Sequence, residues 1–268
     1  MQPELRKYFR LDRLPHIWCP GCGNGIVVGA LVRAVHELNL DQNEVVVVSG
    51  IGCSSRASGY LDFQTVHTTH GRALAFATGI KLAKPHLHVL VLMGDGDAAA
   101  IGGNHLIHAA RRNIDLTAVI FNNSIYGMTG GQVSPLTPQG KVATTAPYGV
   151  VERSFDLAAL AQGAGATFVA RGTAYHVVQL TDLIKKAIRH KGFSLVEAIT
   201  QCPVVYGKQN KPSDPGKMLL WQKEHAVNQR LAGKMSPVEL EGKFLTGILH
   251  QAEAPELAAE YAKLTAKE

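Results

Sequence analysis

The sequence predicts an α/β protein built on a doubly wound, mostly parallel sheet with a C-terminal helical arm. Short β-branched runs alternate with helix-length stretches, the pattern that parallel sheets produce. The residues best suited to chemistry also fall just after strands, where an open parallel sheet binds its ligands.

Taken in order, Val45–Ser49 (VVVVS) is a nearly continuous apolar run, which fits a strand buried on both faces. Similar runs follow at His88–Met93, Leu116–Phe121, Thr167–Ala170 and Ser194–Ile199. Helices are expected between them near Gly25–Leu38, Arg72–Lys84, Ile101–Arg112, Asp156–Gln162 and Val177–His190. The texture changes after Pro203, and 1–206 is expected to form the main domain, with 207–268 an appended arm. In the arm, Gly207–Lys217 is rich in Gly, Lys, Pro and Asn, and helical pieces are expected at Leu219–Leu231 and Glu256–Lys267.

A chain of 268 residues with 46% hydrophobic and 18% charged residues can bury one substantial core, and disorder would need the opposite balance. No apolar run approaches the roughly 18 residues of a membrane helix, and the charged start lacks a signal-peptide core. A cytoplasmic protein with no membrane partner is therefore expected. The net charge of +6 suits an anionic substrate or an acidic protein partner. No basic stretch is interleaved with aromatics, so no nucleic-acid partner is expected.

Gly94-Asp95-Gly96-Asp97 lies between a predicted strand and a predicted helix. Glycines there allow backbone N–H groups to approach a phosphate at a helix N-terminus. Asp95 would repel a bare diphosphate, and a cation such as Mg²⁺, which favours carboxylate, amide and carbonyl oxygens, removes the conflict. Asn122-Asn123 ends the next strand, where an amide oxygen can reach the same ion, and the Ile125 carbonyl can supply another ligand. The competing reading is a dinucleotide fingerprint, because GDGDAA fits G-x-G-x-x-A. That motif needs an acid after the next strand, and Asp115 comes before it. The pairing of a Gly-Asp-Gly turn with Asn-Asn resembles the thiamine-diphosphate signature. By that resemblance Asp95, Asn123 and the Ile125 carbonyl would hold Mg²⁺, with Gly94, Gly96, Asp97, Gly127 and Met128 around the diphosphate.

Four cysteines remain: Cys19 and Cys22 as a close pair, then Cys53 and Cys202. Three readings compete. A thioredoxin-like pair leaves two of them unexplained. A structural zinc site commonly uses two close pairs, and a [4Fe–4S] cluster often takes a close group plus a distant ligand. Cys53 follows the first predicted strand, Asp95 the second, Asn123 the third and Cys202 the last, so all four positions share one sheet edge.

The segments WCPGCGNG (Trp18–Gly25), GIGCSSR (Gly50–Arg56), HGRALAFATGIKLA (His70–Ala83) and GDGDAAAIGGNH (Gly94–His105) resemble the β subunit of 2-oxoacid:ferredoxin oxidoreductases, most closely the 2-oxoglutarate type. The likeness runs from about Trp18 to Cys202. It implies a thiamine-diphosphate-binding fold in which Cys19, Cys22, Cys53 and Cys202 hold one [4Fe–4S] cluster. Ile51, Gly52, Cys53, Ser54 and His70 would border the cofactor, with Cys53 and His70 in catalytic positions. The activity implied is coenzyme A-dependent oxidative decarboxylation of a 2-oxo acid, most simply 2-oxoglutarate, with electrons passing to ferredoxin. Arg56 is a candidate for gripping a substrate carboxylate in fork geometry. No second α/β domain is evident, so an α subunit would supply the pyrimidine-binding domain and the activating glutamate, in an (αβ)₂ heterotetramer. Two alternatives stay open: half of a non-oxidative thiamine-dependent decarboxylase or synthase, and a basic Cys₄ zinc module.

Overall fold

The computed structural model describes residues 2–265. Its strands are β1 (Val45–Ser49), β2 (Gln64–His67), β3 (His88–Gly94), β4 (Thr117–Asn122), β5 (Phe168–Thr173), β6 (Ser194–Ile199), β7 (Ala226–Asn228) and β8 (Phe244–Gln251). The helices are α1 (Asn24–Glu37), α2 (Ala57–Tyr60), α3 (Ala73–Ala83), α4 (Gly103–Arg111), α5 (Leu157–Gly163), α6 (Val177–Arg189), α7 (Lys208–Asn210), α8 (Pro215–His225), α9 (Gln229–Ala232), α10 (Pro237–Leu240) and α11 (Leu257–Thr265). All five expected strands form, and β1 and β6 have the expected bounds. Residues 266 and 267 of the helix expected at Glu256–Lys267 lie outside the described residues.

The strands form one sheet in the order β2-β1-β3-β4-β6-β5-β8-β7. Every pairing is parallel except β5 with β8. Alternation along each strand feeds two cores. Val45, Val47, Leu90, Leu92, Val119 and Phe121 pack beneath Val27 and Leu31 of α1 and Leu180 and Ile184 of α6. Val46, Val48, Val89, Val91, Ala118 and Ile120 meet Leu74 of α3, Leu106 of α4 and Ala161 of α5 on the other face. Helices therefore cover both faces, which is the doubly wound arrangement. From β1 the chain moves to β2 on one side and then to β3 on the other. That reversal opens a crevice beyond the carboxyl ends of β1 and β3.

The arm corrects one expectation. It was expected to be helical, yet it contributes β7 and β8, and β8 covers the edge of β5 with an antiparallel ladder. An uncovered β5 edge would present a row of unpaired backbone groups. The helix expected at Leu219–Leu231 is also divided, into α8, β7 and α9.

One charged side chain sits inside the sheet. Glu197 in β6 is 2% exposed, and its Oε2 accepts from Arg171 Nε at 2.6 Å. Arg171 also donates to Asp156 at 2.8 Å, and Glu197 Oε1 accepts from Asn122 Nδ2 at 2.7 Å. Removing one partner of such a pair leaves an uncompensated buried charge. Arg171→Met is expected to lower unfolding free energy by about 3–5 kcal/mol. Urea unfolding of the two proteins checks this, and a loss below about 1 kcal/mol would contradict it.

Candidate functional site

Three strand ends and the loops behind them converge on one cavity of 90 Å³. Ile51, Gly52, Cys53 and Ser54 enter from the loop after β1, and His70 from the turn between β2 and α3. Gly94, Asp95, Gly96 and Asp97 come from the end of β3 and the π-helical turn Asp97–Ile101. Asn123, Ile125, Gly127 and Met128 come from the segment after β4. Every residue expected around the cofactor therefore lines this cavity. Arg56 does not: the 3-10 turn Ser54–Arg56 leaves its side chain exposed, outside the lining.

The two aspartates are 2% exposed, although charge normally stays in water. Burial pushes the Asp95 carboxyl up to about 7, against the pull of the Ser134 hydroxyl and the backbone N–H groups of Gly96 and Asn123. The Ser134 hydroxyl donates to Asp95 Oδ2 in a short bond. Burial also raises Asp97, against bonds from Gly71 and His70. Asp97 Oδ1 accepts from the Gly71 N–H at 2.7 Å and meets His70 Nδ1 at 2.5 Å. Asp97 Oδ2 is buried without a hydrogen-bond partner. A cavity with a raised carboxyl and an orphaned carboxylate oxygen suits a cation or a donor group supplied by a ligand.

Tyr126, which sequence reasoning missed, shapes the same cavity. Its hydroxyl donates to the Gly96 carbonyl at 3.0 Å, and its ring stands edge-on to His70 with centroids 6.0 Å apart. A β-carbon on Gly96 would lie 2.2 Å from that ring, so Gly96 is glycine to admit Tyr126. Asn123 Oδ1 accepts from the Ile125 N–H at 3.2 Å, which places the amide and the Ile125 backbone in one turn. Ser134 was missed as well. No local motif marks either residue, because both depend on how residues 123–156 fold back.

The thiols gather beside this cavity. A β-carbon on Gly127 would lie 3.7 Å from Cys202 Sγ and 3.8 Å from Cys53 Sγ. Burial pushes the Cys22 thiol up to about 12, with the Cys202, Cys53 and Cys19 charges adding to it. Cys53 is raised to about 11 by burial and then by Cys202 and Cys19. Burial raises Cys202 too, while the N–H groups of Tyr206 and Val205 act the other way. All four are free, and Cys19 is exposed. Thiols held this high stay protonated at neutral pH, so a metal centre binding them must displace protons. The Trp18 indole N–H, another missed contact, donates to the Cys53 carbonyl at 2.6 Å and ties the Cys19–Cys22 loop to the cavity. Among the described residues, no three His, Cys, Asp or Glu side chains are grouped to hold a single metal ion.

Residues 50–198 match the family described as thiamine pyrophosphate enzyme, C-terminal TPP binding domain. The 2-oxoglutarate synthase subunit KorB of Methanocaldococcus jannaschii is 55% identical over 267 residues, covering 100% of this chain and 98% of that protein. The subunit of the same name from Methanothermobacter marburgensis is 55% identical over 251 residues, 94% of this chain and 88% of that protein. A solved structure of 2-oxoglutarate:ferredoxin oxidoreductase from Magnetococcus marinus, with 2-oxoglutarate, coenzyme A and succinyl-CoA bound, matches with a TM-score of 0.88. It is 35% identical, covering 98% of this chain and 90% of that chain.

Asp95 takes up a proton on folding, because burial lifts its pKa from the ordinary 3.8 to about 7. Its contribution to stability therefore falls as pH rises from about 4 through 7. In cation-free protein, Asp95→Asn is expected to stabilise at pH 8 and to change little at pH 4. Thermal melts at the two pH values test this, and equal effects at both would contradict it.

Proposed function

This chain belongs to the family of 2-oxoacid:ferredoxin oxidoreductase β subunits, and on that premise we propose that it converts 2-oxoglutarate and coenzyme A to succinyl-CoA and CO₂, with electrons passing to ferredoxin. The observation that carries the reading is the position of Cys53. It lines the cavity of Asp95, Asn123 and Ile125 and also has the Cys202 and Cys19 thiols as neighbours. A diphosphate site and a thiol group thus share one residue. Neither a dinucleotide site nor a structural zinc module has a use for that arrangement.

Thiamine diphosphate supplies the carbon chemistry that releases CO₂ from a 2-oxo acid. The residues present fit its diphosphate and cation: Asp95, the Asn123 amide and the Ile125 carbonyl would hold Mg²⁺, and the β3 turn and Gly127 offer backbone to the phosphates. Asp97 orients His70 through Nδ1, which leaves Nε2 to hold or release a proton beside the cavity. Ile51 and Met128, both partly exposed, give the cavity an apolar rim. Cys19, Cys22, Cys53 and Cys202 would hold one [4Fe–4S] cluster, with N–H groups of Asn24, Val205 and Tyr206 directed at two of the sulfurs.

An α subunit is implied as partner, and it would bring the pyrimidine-binding domain with its activating glutamate in an (αβ)₂ assembly. The chain alone is then inactive. Among the described residues no helix is long and apolar enough to cross a membrane, and a cytoplasmic location is part of the proposal. Arg56, exposed in this chain, would meet the distal carboxylate of the substrate from the outer side of the site.

Two measurements test this reading. Anaerobically purified with its α subunit, the protein should hold about four irons per chain and reduce ferredoxin only when a 2-oxo acid is present. Cys53→Ala and Asp95→Ala should each reduce that activity to background, and retained activity in either, or zinc in place of iron, would overturn the mechanism. Arg56→Ala should raise the KM for 2-oxoglutarate about tenfold while sparing pyruvate, the size expected for one charge-assisted contact. Equal losses for both substrates would remove Arg56 from substrate recognition.

A further inference from the structure

The helix α8 seats a single buried side chain, a polar one, on the main body, beside partly exposed apolar contacts such as Trp221 stacked on Phe244. Only Gln222 of its 11 residues is buried. Beneath the helix lies a cavity of 450 Å³, lined in part by Met218, Trp221 and Gln222. Amphipathic helices normally seat an apolar stripe on the core. Here the seat is a glutamine that is 2% exposed.

Each end of that carboxamide is engaged. Gln222 Oε1 accepts from the Tyr175 N–H at 3.0 Å, and its Nε2 donates to Gln201 Oε1 at 3.3 Å. Gln201, 3% exposed and directly before Cys202, donates from Nε2 to the Gly21 carbonyl at 3.0 Å. The Gln201 carbonyl accepts from the Gly23 N–H at 3.1 Å. The first turn of α8 reaches the same loop from another side: a β-carbon on Gly21 would stand 2.2 Å from Pro215 Cγ. Gly21 and Gly23 flank Cys22, so these contacts act on the backbone carrying the first two thiols.

We propose that α8 is a polar clamp on the Cys19–Cys22 loop, in which Gln222 acts through Gln201 to position those thiols against Cys202. The proposal rests on the reading that the four thiols hold an iron–sulfur cluster. Gln201 and Gln222 are positioning residues, since neither is a ligand. The potential of such a cluster depends on its solvent exposure and on hydrogen bonds to its sulfurs. Loosening the loop admits water. Water favours the more negatively charged reduced state, so the potential should move positive.

The test uses the holoenzyme with its α subunit, prepared without oxygen. Wild type, Gln222→Leu and Gln222→Glu are compared by iron content, iron loss to a chelator and a redox titration followed by electron paramagnetic resonance. Gln222→Glu keeps an acceptor for Tyr175 but loses the donor toward Gln201, so it carries the test if the leucine variant does not fold. Both variants should lose iron several-fold faster and show a more positive midpoint potential, with thiamine diphosphate content unchanged. Wild-type iron loss and potential in the variants would overturn the clamp. Absence of iron from the wild-type holoenzyme would instead overturn the cluster reading on which the clamp rests.

Discussion

Asp95 and Asp97 leave the end of β3 as two buried carboxylates, and among the described residues neither forms an ion pair with a lysine or arginine. Burying charge in this way is costly, and the surroundings are arranged around it. Gly71 and His70 satisfy one oxygen of Asp97, and Ser134 reaches back to Asp95. A β-carbon on Gly50 would stand 1.9 Å from Asp97 Oδ2, so β1 is followed by glycine to leave that carboxylate room. The remaining imbalance, a raised Asp95 and an orphaned Asp97 oxygen, suits a cation or a donor group from a ligand. Stability and function pull against each other here, as they do at sites built for a ligand.

The other buried carboxylate is handled differently. Glu197 is as buried as the two aspartates yet is compensated by Arg171 and Asn122. Asn122 turns its other amide atom to the N–H of Ser124, which has a φ of 62°. That left-handed residue redirects the chain out of β4, so that Asn123 and Ile125 face the cavity. Glu197 thus supports the turn that presents the expected cation ligands, and its charge is held by structural partners instead of a ligand.

Much of this was legible in the chain itself, for identifiable reasons. VVVVS and SLVEAI form strands at their expected bounds because strands buried on both faces show as continuous apolar runs. β2 (QTVH) was not expected because it is a short edge strand whose ends are exposed. β8 (FLTGILHQ) is half-buried and carries a glycine at φ 101°, so neither strict alternation nor a continuous run marks it. Cys53, Asp95 and Asn123 were legible because the chain places them just after three parallel strands, whose ends the sheet brings together, and the rest of the lining was expected from the family resemblance. Tyr126, Ser134 and Trp18 were not, since their roles arise from loops returning across the sheet edge. Arg56 shows the same limit: its nearness to Cys53 in sequence does not set its direction in space.

The cavity and the thiols are joined by hydrogen bonds to backbone carbonyls. Trp18 binds the Cys53 carbonyl, Gly23 binds the Gln201 carbonyl, and Cys22 bonds back to the Cys19 carbonyl at 3.0 Å. Cys19 and Cys22 are therefore referenced to the β1 loop on one side and to the end of β6 on the other. Both references are anchored in a single parallel sheet, whose registers fix β1, β3, β4 and β6 relative to one another. In this chain the separation between the cavity and the Cys19–Cys22 loop is set by sheet register and a few hydrogen bonds. Cys53 lines the cavity and also neighbours Cys202 and Cys19, which makes its loop the point where cavity and thiols meet.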